Sequence, residues 1–274
     1  VSITIVSRTN YFLFTPMLHE VATGGLGHHQ VVESIRQIVH GRGVDFFEAS
    51  VGSVDLAAKN VSTDRGVLPY DMLVFAQGAT TNFFGTPGAE EYAYVLKDLA
   101  DAIRLRDTII EMFERAAHEP DALVRERLLS FVVVGGGATG VETAAEIADF
   151  ANRTLRRYYE KCGSSKPRVT LVQAAPELLP MFGKKVRVRA LKVLARSGVT
   201  VRLDAKVGEI SSEGVKLASG EMLYAETVLW TAGVKPNAIA TAGGDLPKDP
   251  GGRILTDASF AVSGYPGVFA IGDA

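Results

Sequence analysis

The chain has 274 residues, 47% of them apolar and 22% charged, with a formal net charge of −2. At roughly 150 residues per domain this is one large domain or two medium ones, and the near-average composition excludes wholesale disorder and fibrous repeats. One cysteine, Cys162, excludes an internal disulfide and any two-cysteine redox centre. A charge balance near zero, with no basic stripe evident, leaves no electrostatic footprint for nucleic acid. Apolar runs such as residues 131–134 fall far short of the ~20 residues that cross a bilayer. Glycine is the outlier. Its 28 residues are about a tenth of the chain against a usual ~7%, which points to tight backbone turns.

In chain order, residues 3–6 form a short β-branched run that ends in polar residues and predicts a strand with its exit loop. Residues 31–40 have helix-like spacing, with Val32, Ile35, Ile38 and Val39 on one face and Gly41 and Gly43 as the stop. Short strands and turns then alternate from residue 44 to 78. Residues 96–117 predict a long helix, and 123–129 a connecting one. Residues 131–134 read as a buried strand, 138–159 as mostly helix, 168–172 as a strand and 184–196 as an amphipathic helix. Strands dominate from there to Gly233. Strands alternating with helices predict an α/β fold with parallel sheets.

The chain also repeats itself. A meander that opens at Gly43-Val44 and closes at Leu73-Val74-Phe75-Ala76-Gln77-Gly78 has a counterpart 155 residues later, from Gly198-Val199 to Val228-Leu229-Trp230-Thr231-Ala232-Gly233. In the second copy a strand, a glycine loop and a helix come first. In the first copy those pieces would fall before Val1, so the expectation is a first half without its opening βα unit; chance similarity between two α/β segments is the alternative.

The strongest motif is Val134-Gly135-Gly136-Gly137-Ala138-Thr139-Gly140-Val141-Glu142, a G-x-G-x-x-G between an expected strand and an expected helix. Gly135 suits the tight turn, Gly137 the close approach of a pyrophosphate, and Gly140 close helix–strand packing. The helix N-terminus offers N–H groups and partial positive charge to phosphates. The ribose is read at the end of the next strand, where this chain has Gln173. A neutral amide there bonds a hydroxyl and repels a 2′-phosphate less than a carboxylate does, but no arginine follows in Ala174-Ala175-Pro176 to hold that phosphate, so NADH is the expected ligand and NADPH stays open. Gln173 as a solvated loop residue is the plainer alternative.

Several segments together resemble the flavoproteins with two dinucleotide-binding domains, and among them the type II NADH:quinone oxidoreductases. They are Asn10-Tyr11-Phe12-Leu13-Phe14-Thr15-Pro16-Met17-Leu18, Leu96-Lys97-Asp98, the glycine loop, Val228-Leu229-Trp230-Thr231-Ala232-Gly233-Val234, and Pro266-Gly267-Val268-Phe269-Ala270-Ile271-Gly272-Asp273-Ala274. The resemblance implies an α/β architecture of two Rossmann-like, three-layer domains. The FAD domain would comprise residues 1–125 and 247–274, with the NAD(P)H domain, 126–246, inserted in it. It implies that Gly272 and Asp273 meet the ribityl–phosphate region of FAD, that Ala76 and Gly78 lie beside its diphosphate and ribose, and that Thr15 and Pro16 lie near the isoalloxazine. Ser7 stands where the family often has an acidic residue for the FAD ribose. Gly233 and Val234 would place the nicotinamide against the flavin.

The implied activity is FAD-dependent oxidation of NADH with electron transfer to a membrane quinone, without proton pumping. The implied location is a peripheral membrane protein on the cytoplasmic face or the mitochondrial inner membrane. The membrane-surface anchor would lie in a C-terminal region beyond Ala274, so the chain is expected to be a truncated piece that is itself soluble; a homodimer is the assembly carried as an option. A soluble reductase of a small redox protein, or a non-catalytic NAD-binding sensor, are the alternatives.

Glu142 stands where the family carries a glutamate near flavin and quinone. A buried carboxylate there would have a raised pKa and relay protons; one that simply favours the positive helix end is the alternative. Glu146, one turn on, reads as a packing or salt-bridge residue. Adjacent His28 and His29 lack partners at ligand spacing, so no metal is expected. Arg153, Arg156, Arg157, Tyr158 and Tyr159 read as a solvated helix face sooner than a headgroup site, and Trp230 as core.

Overall fold

The structure, a computed structural model, describes residues 2–159, 162 and 165–274. Contacts divide the chain into two compact units. One comprises Val1–Leu13, Val32–Thr81 and Val234–Ala274, the other Phe14–Val31 and Asn82–Gly233. These divisions differ from the 125/126 and 246/247 boundaries drawn from the sequence, because the segments 14–31 and 82–125 pack with the second unit and 234–246 with the first.

The second unit is built on a four-stranded parallel sheet in the order Val199–Arg202, Arg168–Val172, Ser130–Val134, Thr227–Trp230. All five residues of Ser130–Val134 are buried, as a central parallel strand covered on both faces requires. The chain lays its first three strands outward in one direction and returns to the other side of Ser130–Val134. That reversal opens a crevice at the carboxyl ends of the strands. A three-stranded antiparallel sheet, Val207–Ser211, Gly214–Leu217 and Met222–Tyr224, precedes the return strand. Its Ile210, Val215 and Leu217 share a core with Val132, Val134, Val228 and Trp230.

The long helix of this unit is Leu99–His118. It starts three residues after the apolar pattern does, because Asp98 caps it: the Asp98 carboxylate accepts from Asp101 N at 2.9 Å, and Asp101 accepts from Asp98 N at 3.0 Å. Leu105, Ile109, Phe113 and Ala116 form its buried stripe. The connecting helix is Ala122–Leu128, capped by Asp121.

In the first unit Ile3–Ser7 runs parallel to Val44–Glu48, and Leu73–Phe75 parallel to Val268–Ala270. Between them lies the antiparallel meander Val51–Asp55, Asn60–Thr63, Gly66–Pro69, with Ala240–Ala242 alongside its first strand. Val54, Phe75, Leu246, Val262, Val268 and Ala270 form the core. Each unit thus has the same succession of a parallel strand pair, an antiparallel meander and a return strand, which is the repeat seen in the sequence.

One expectation is corrected and one is refined. Residues 31–40 are not one helix: Val32–Ser34 pairs antiparallel with Tyr11–Leu13, and only Ile35–Val39 is helical. A partner strand twenty residues upstream overrides the local period. The helix after the glycine loop is α-helical over Ala138–Asp149 and widens to a π-helix over Phe150–Leu155. No helix among the described residues is long and apolar enough to cross a membrane.

Candidate functional site

The glycine loop sits at the crevice of the parallel sheet. Gly135 has φ +115°, and a Cβ there would lie 2.7 Å from the backbone of Ala232. At Gly140 a Cβ would lie 1.8 Å from the Gly135 carbonyl oxygen and 2.6 Å from Thr231 Oγ1. Both positions therefore exclude any side chain. Gly137 is the opposite case: no atom lies within 4 Å of where its Cβ would be. It caps the helix with extended backbone and no side-chain acceptor. The first intrahelical bond runs from Val141 N to Gly137 O at 3.0 Å, so the N–H groups of Ala138, Thr139 and Gly140 precede the helical ladder. An open cradle in front of unpaired N–H groups at the positive end of a helix is suited to a phosphate.

Gln173 is not a solvated loop residue. Its Oε1 accepts from Gly136 N at 3.0 Å, and its Nε2 donates to Glu177 O at 3.3 Å. A Cβ at Gly136 would meet Leu178 Cδ2 at 2.5 Å and Gln173 Cδ at 3.0 Å, so a side chain there would have to displace both of those side chains. The Gly136 carbonyl accepts from Leu179 N at 2.8 Å, and Leu179 is held at φ +52° to make that bond. Thr231 fastens the other side: its hydroxyl donates to Val134 O at 2.9 Å. Sequence reasoning missed Gly136, Leu179 and Thr231 as parts of the loop. The triple glycine was the available signal for the first; nothing local marks the other two.

Gly233 closes the return strand. Its carbonyl accepts from Asn82 N at 3.0 Å, and a Cβ would strike the Phe84 ring at 2.5 Å. Trp230 is core as expected, 4% exposed, with its indole N–H donating to Asn82 O at 2.9 Å. Thr15 and Pro16 lie exposed in the short 3-10 turn Thr15–Met17.

The other expected residues belong to the first unit, where they too follow strand carboxyl ends. Ser7 ends Ile3–Ser7 and pairs in register with Glu48. Ala76 and Gly78 follow Leu73–Phe75; Gly272 and Asp273 follow Val268–Ala270, the strand parallel to it, and both are exposed. Gly78 and Gly272 have φ +66° and +72°. Between Ala76 and Gly78, Gln77 Oε1 is a buried acceptor without a donor among the described residues, while its Nε2 donates to Asn237 O at 3.3 Å. Val234 opens the strand Val234–Pro236, which pairs antiparallel with Ala79–Thr81.

The burial of the two carboxylates is the reverse of the expectation for Glu142. Glu142 is exposed, not buried, because it lies on the helix side turned from the sheet. Glu146 is half-buried, and burial pushes its pKa up; His19 opposes the rise, and Asp149 and Glu20 add to it. Cys162 is buried, its thiol pKa raised by that burial. The neighbouring Lys161, Gly163 and Ser164 of its loop lie outside the described residues. Arg153 pairs with Asp149 at 2.8 Å, and Tyr159 donates to Glu114 at 2.7 Å. The absence of a basic stripe is also corrected. Lys185, Arg189, Lys192 and Arg196 are all exposed on the helix Lys184–Arg196, a helical spacing that carboxylates elsewhere in the chain mask in the net charge.

The sequence profile of the pyridine nucleotide-disulphide oxidoreductases matches residues 1–274. A type II NADH:quinone oxidoreductase of Mycobacterium tuberculosis is 35% identical over 288 residues, spanning 100% of this chain and 62% of that protein. A type II NADH:quinone oxidoreductase of Staphylococcus saprophyticus is 30% identical over 274 residues, spanning 99% of this chain and 67% of its own length. The structure of NDH2 from Plasmodium falciparum in complex with NADH matches with a TM-score of 0.90, over 99% of this chain and 59% of that one. At 24% identity that likeness is one of fold. The chain spans about three fifths of the length of the mycobacterial relative.

Proposed function

This chain belongs to the pyridine nucleotide-disulphide oxidoreductase family, and we propose that it is the nucleotide-binding framework of a type II NADH:quinone oxidoreductase. The observation that carries this reading is the glycine loop. Side chains are excluded at Gly135 and Gly140 and space is left open at Gly137, at the head of a helix without a side-chain cap.

In this reading residues 126–246 are the NADH domain. Gly135, Gly137 and Gly140 take the pyrophosphate, Gln173 faces the adenosine ribose, and Gly233 with Val234 positions the nicotinamide. NADPH is the weaker ligand because the described residues at 174–176 include no cation for a 2′-phosphate. Residues 1–125 and 247–274 are the FAD domain. Ser7 bonds the ribose hydroxyls, Ala76 and Gly78 bring backbone to the diphosphate, Gly272 and Asp273 meet the ribityl–phosphate region, and Thr15 and Pro16 lie near the isoalloxazine. The orphaned Gln77 Oε1 fits that assignment, since a buried acceptor between two such residues suits a hydroxyl donor. FAD, when bound, supplies the two-electron carrier between NADH and a membrane quinone. Glu142, exposed in the second turn of its helix, is the residue proposed to act in proton transfer at the reduced acceptor. A peripheral membrane location follows from a quinone that resides in the bilayer.

The test is an absorbance spectrum of the purified protein together with NADH oxidation in the presence of a soluble quinone. A flavin spectrum and quinone-dependent NADH loss are expected. A colourless protein without turnover overturns the reading.

A further inference from the structure

The helix Lys184–Arg196 has a face that the nucleotide sites do not use. Its 13 residues carry Lys184, Lys185, Arg187, Arg189, Lys192 and Arg196 and no carboxylate. Lys185, Arg189, Lys192 and Arg196 recur at i, i+4, i+7 and i+11, which places them within ~60° of one another around the axis. The opposite side is the packed one, with Leu194 1% exposed and Arg187 in an ion pair with Glu177. Among the described residues none of the four aligned cations pairs with a carboxylate. Like charges on adjacent turns destabilise a helix, so this row is a local cost that nothing in the described fold offsets.

Apolar side chains flank the row. Val186 and Val193 lie on one side and Val188 on the other, 47%, 45% and 43% exposed. Just before the helix, Met181 is 94% exposed and Phe182 47%. We propose that this face docks on an anionic phospholipid surface. The four cations meet lipid phosphates, and Met181, Phe182 and the valines enter the boundary between headgroups and acyl chains. A basic helix flanked by exposed apolar residues has the make-up of a helix that lies in the interface plane. The row spans about 16 Å along a convex ridge, a shape that meets a flat surface better than a groove, and no aromatic side chain is interleaved in it to stack on bases. Lysine and arginine stems extend the apolar contact while their heads stay in water. The proposal rests on this helix alone and does not depend on the quinone reading.

The experiment is sedimentation of the purified protein with vesicles of phosphatidylcholine alone and with vesicles that also contain phosphatidylglycerol. Binding to the second set only, weakening as salt is raised, is expected. Changing Lys185, Arg189, Lys192 and Arg196 to glutamine is expected to weaken that binding about fivefold per charge removed. Circular dichroism and NADH binding should stay unchanged. If the fourfold variant does not fold, the pairs Lys185→Gln/Arg189→Gln and Lys192→Gln/Arg196→Gln are read in its place. Met181→Ser with Phe182→Ser is expected to weaken vesicle binding at every salt concentration. Equal binding to both vesicle sets, no binding, or anionic-vesicle binding untouched by the glutamine changes overturns the proposal. Retention on double-stranded DNA without vesicle binding overturns it as well. Loss of quinone-dependent turnover with vesicle binding intact would bear only on the function proposed above.

Discussion

Gln173 Oε1 accepts a hydrogen bond from Gly136 N at 3.0 Å, so the amide that follows one parallel strand holds the loop that follows its neighbour. Gln173→Ala strands the Gly136 N–H, and the loss is expected to be about 1–3 kcal/mol of stability, measured by urea unfolding. Gln173→Glu keeps the acceptor and adds a negative charge where the ribose is proposed to lie. Its expected effect is a shift in preference toward NADH over NADPH of roughly tenfold, equivalent to about 1.4 kcal/mol, read from titrations with both nucleotides.

The glycines separate fold from ligand. Gly140→Ala forces a Cβ to within 1.8 Å of the Gly135 carbonyl oxygen and is expected to lower the melting temperature sharply. Gly137→Ala meets no atom within 4 Å, so its cost is limited to the poorer helix cap, about 0.5–1 kcal/mol. Its methyl group occupies the cradle, so NADH affinity is expected to fall by roughly tenfold or more. Thermal melts and NADH titration of the two variants check the contrast.

Glu146 makes stability depend on pH. Burial raises its pKa in the folded chain, so the native state binds this proton up to a higher pH than the unfolded chain does. The group's contribution is thus fully present below the unfolded carboxylate value and is lost as pH rises through the folded one. Glu146→Gln is expected to stabilise the protein near neutral pH and to have no such effect in acid. Solvent screening of a half-exposed side chain keeps the gain below about 1 kcal/mol. Denaturation at the two pH values decides it.

Tyr159 has its pKa pushed up to about 12 by burial and by the hydrogen bond it donates to Glu114. Of the eight tyrosines, this one is expected to ionise late in an ultraviolet titration, and Tyr159→Phe should delete that step alone. Loss of a step in the ordinary tyrosine range instead would show that the Glu114 contact does not form in solution.

Much of the second unit was legible because its signals are local. Buried β-branched residues, a glycine triplet and the 184–196 pattern each announce an element within one window. The internal repeat was legible because it survives as topology, even where identity does not. The misreadings are non-local. Val32 and Ile35 fit a helical period, yet the ladder with Tyr11–Leu13 claims the first turn. Glu142 and Glu146 lie on one helix a turn apart, yet only Glu146 is half-buried, and it feels the charges of His19 and Glu20 on a separate short helix that packs against its own. Thr231 joins the glycine loop from 96 residues away in the chain. No window of sequence contains such contacts.

Both backbone polar groups of Gly136 are satisfied within the protein, the N–H by Gln173 and the carbonyl by Leu179. The loop therefore has its shape before any dinucleotide arrives. A flexible phosphate loop spends part of its binding energy on becoming ordered, and this one does not. Nucleotide capture is accordingly expected to run at the pace of encounter, as a single-phase association whose rate rises linearly with nucleotide concentration. A loop that had to close first would show a plateau.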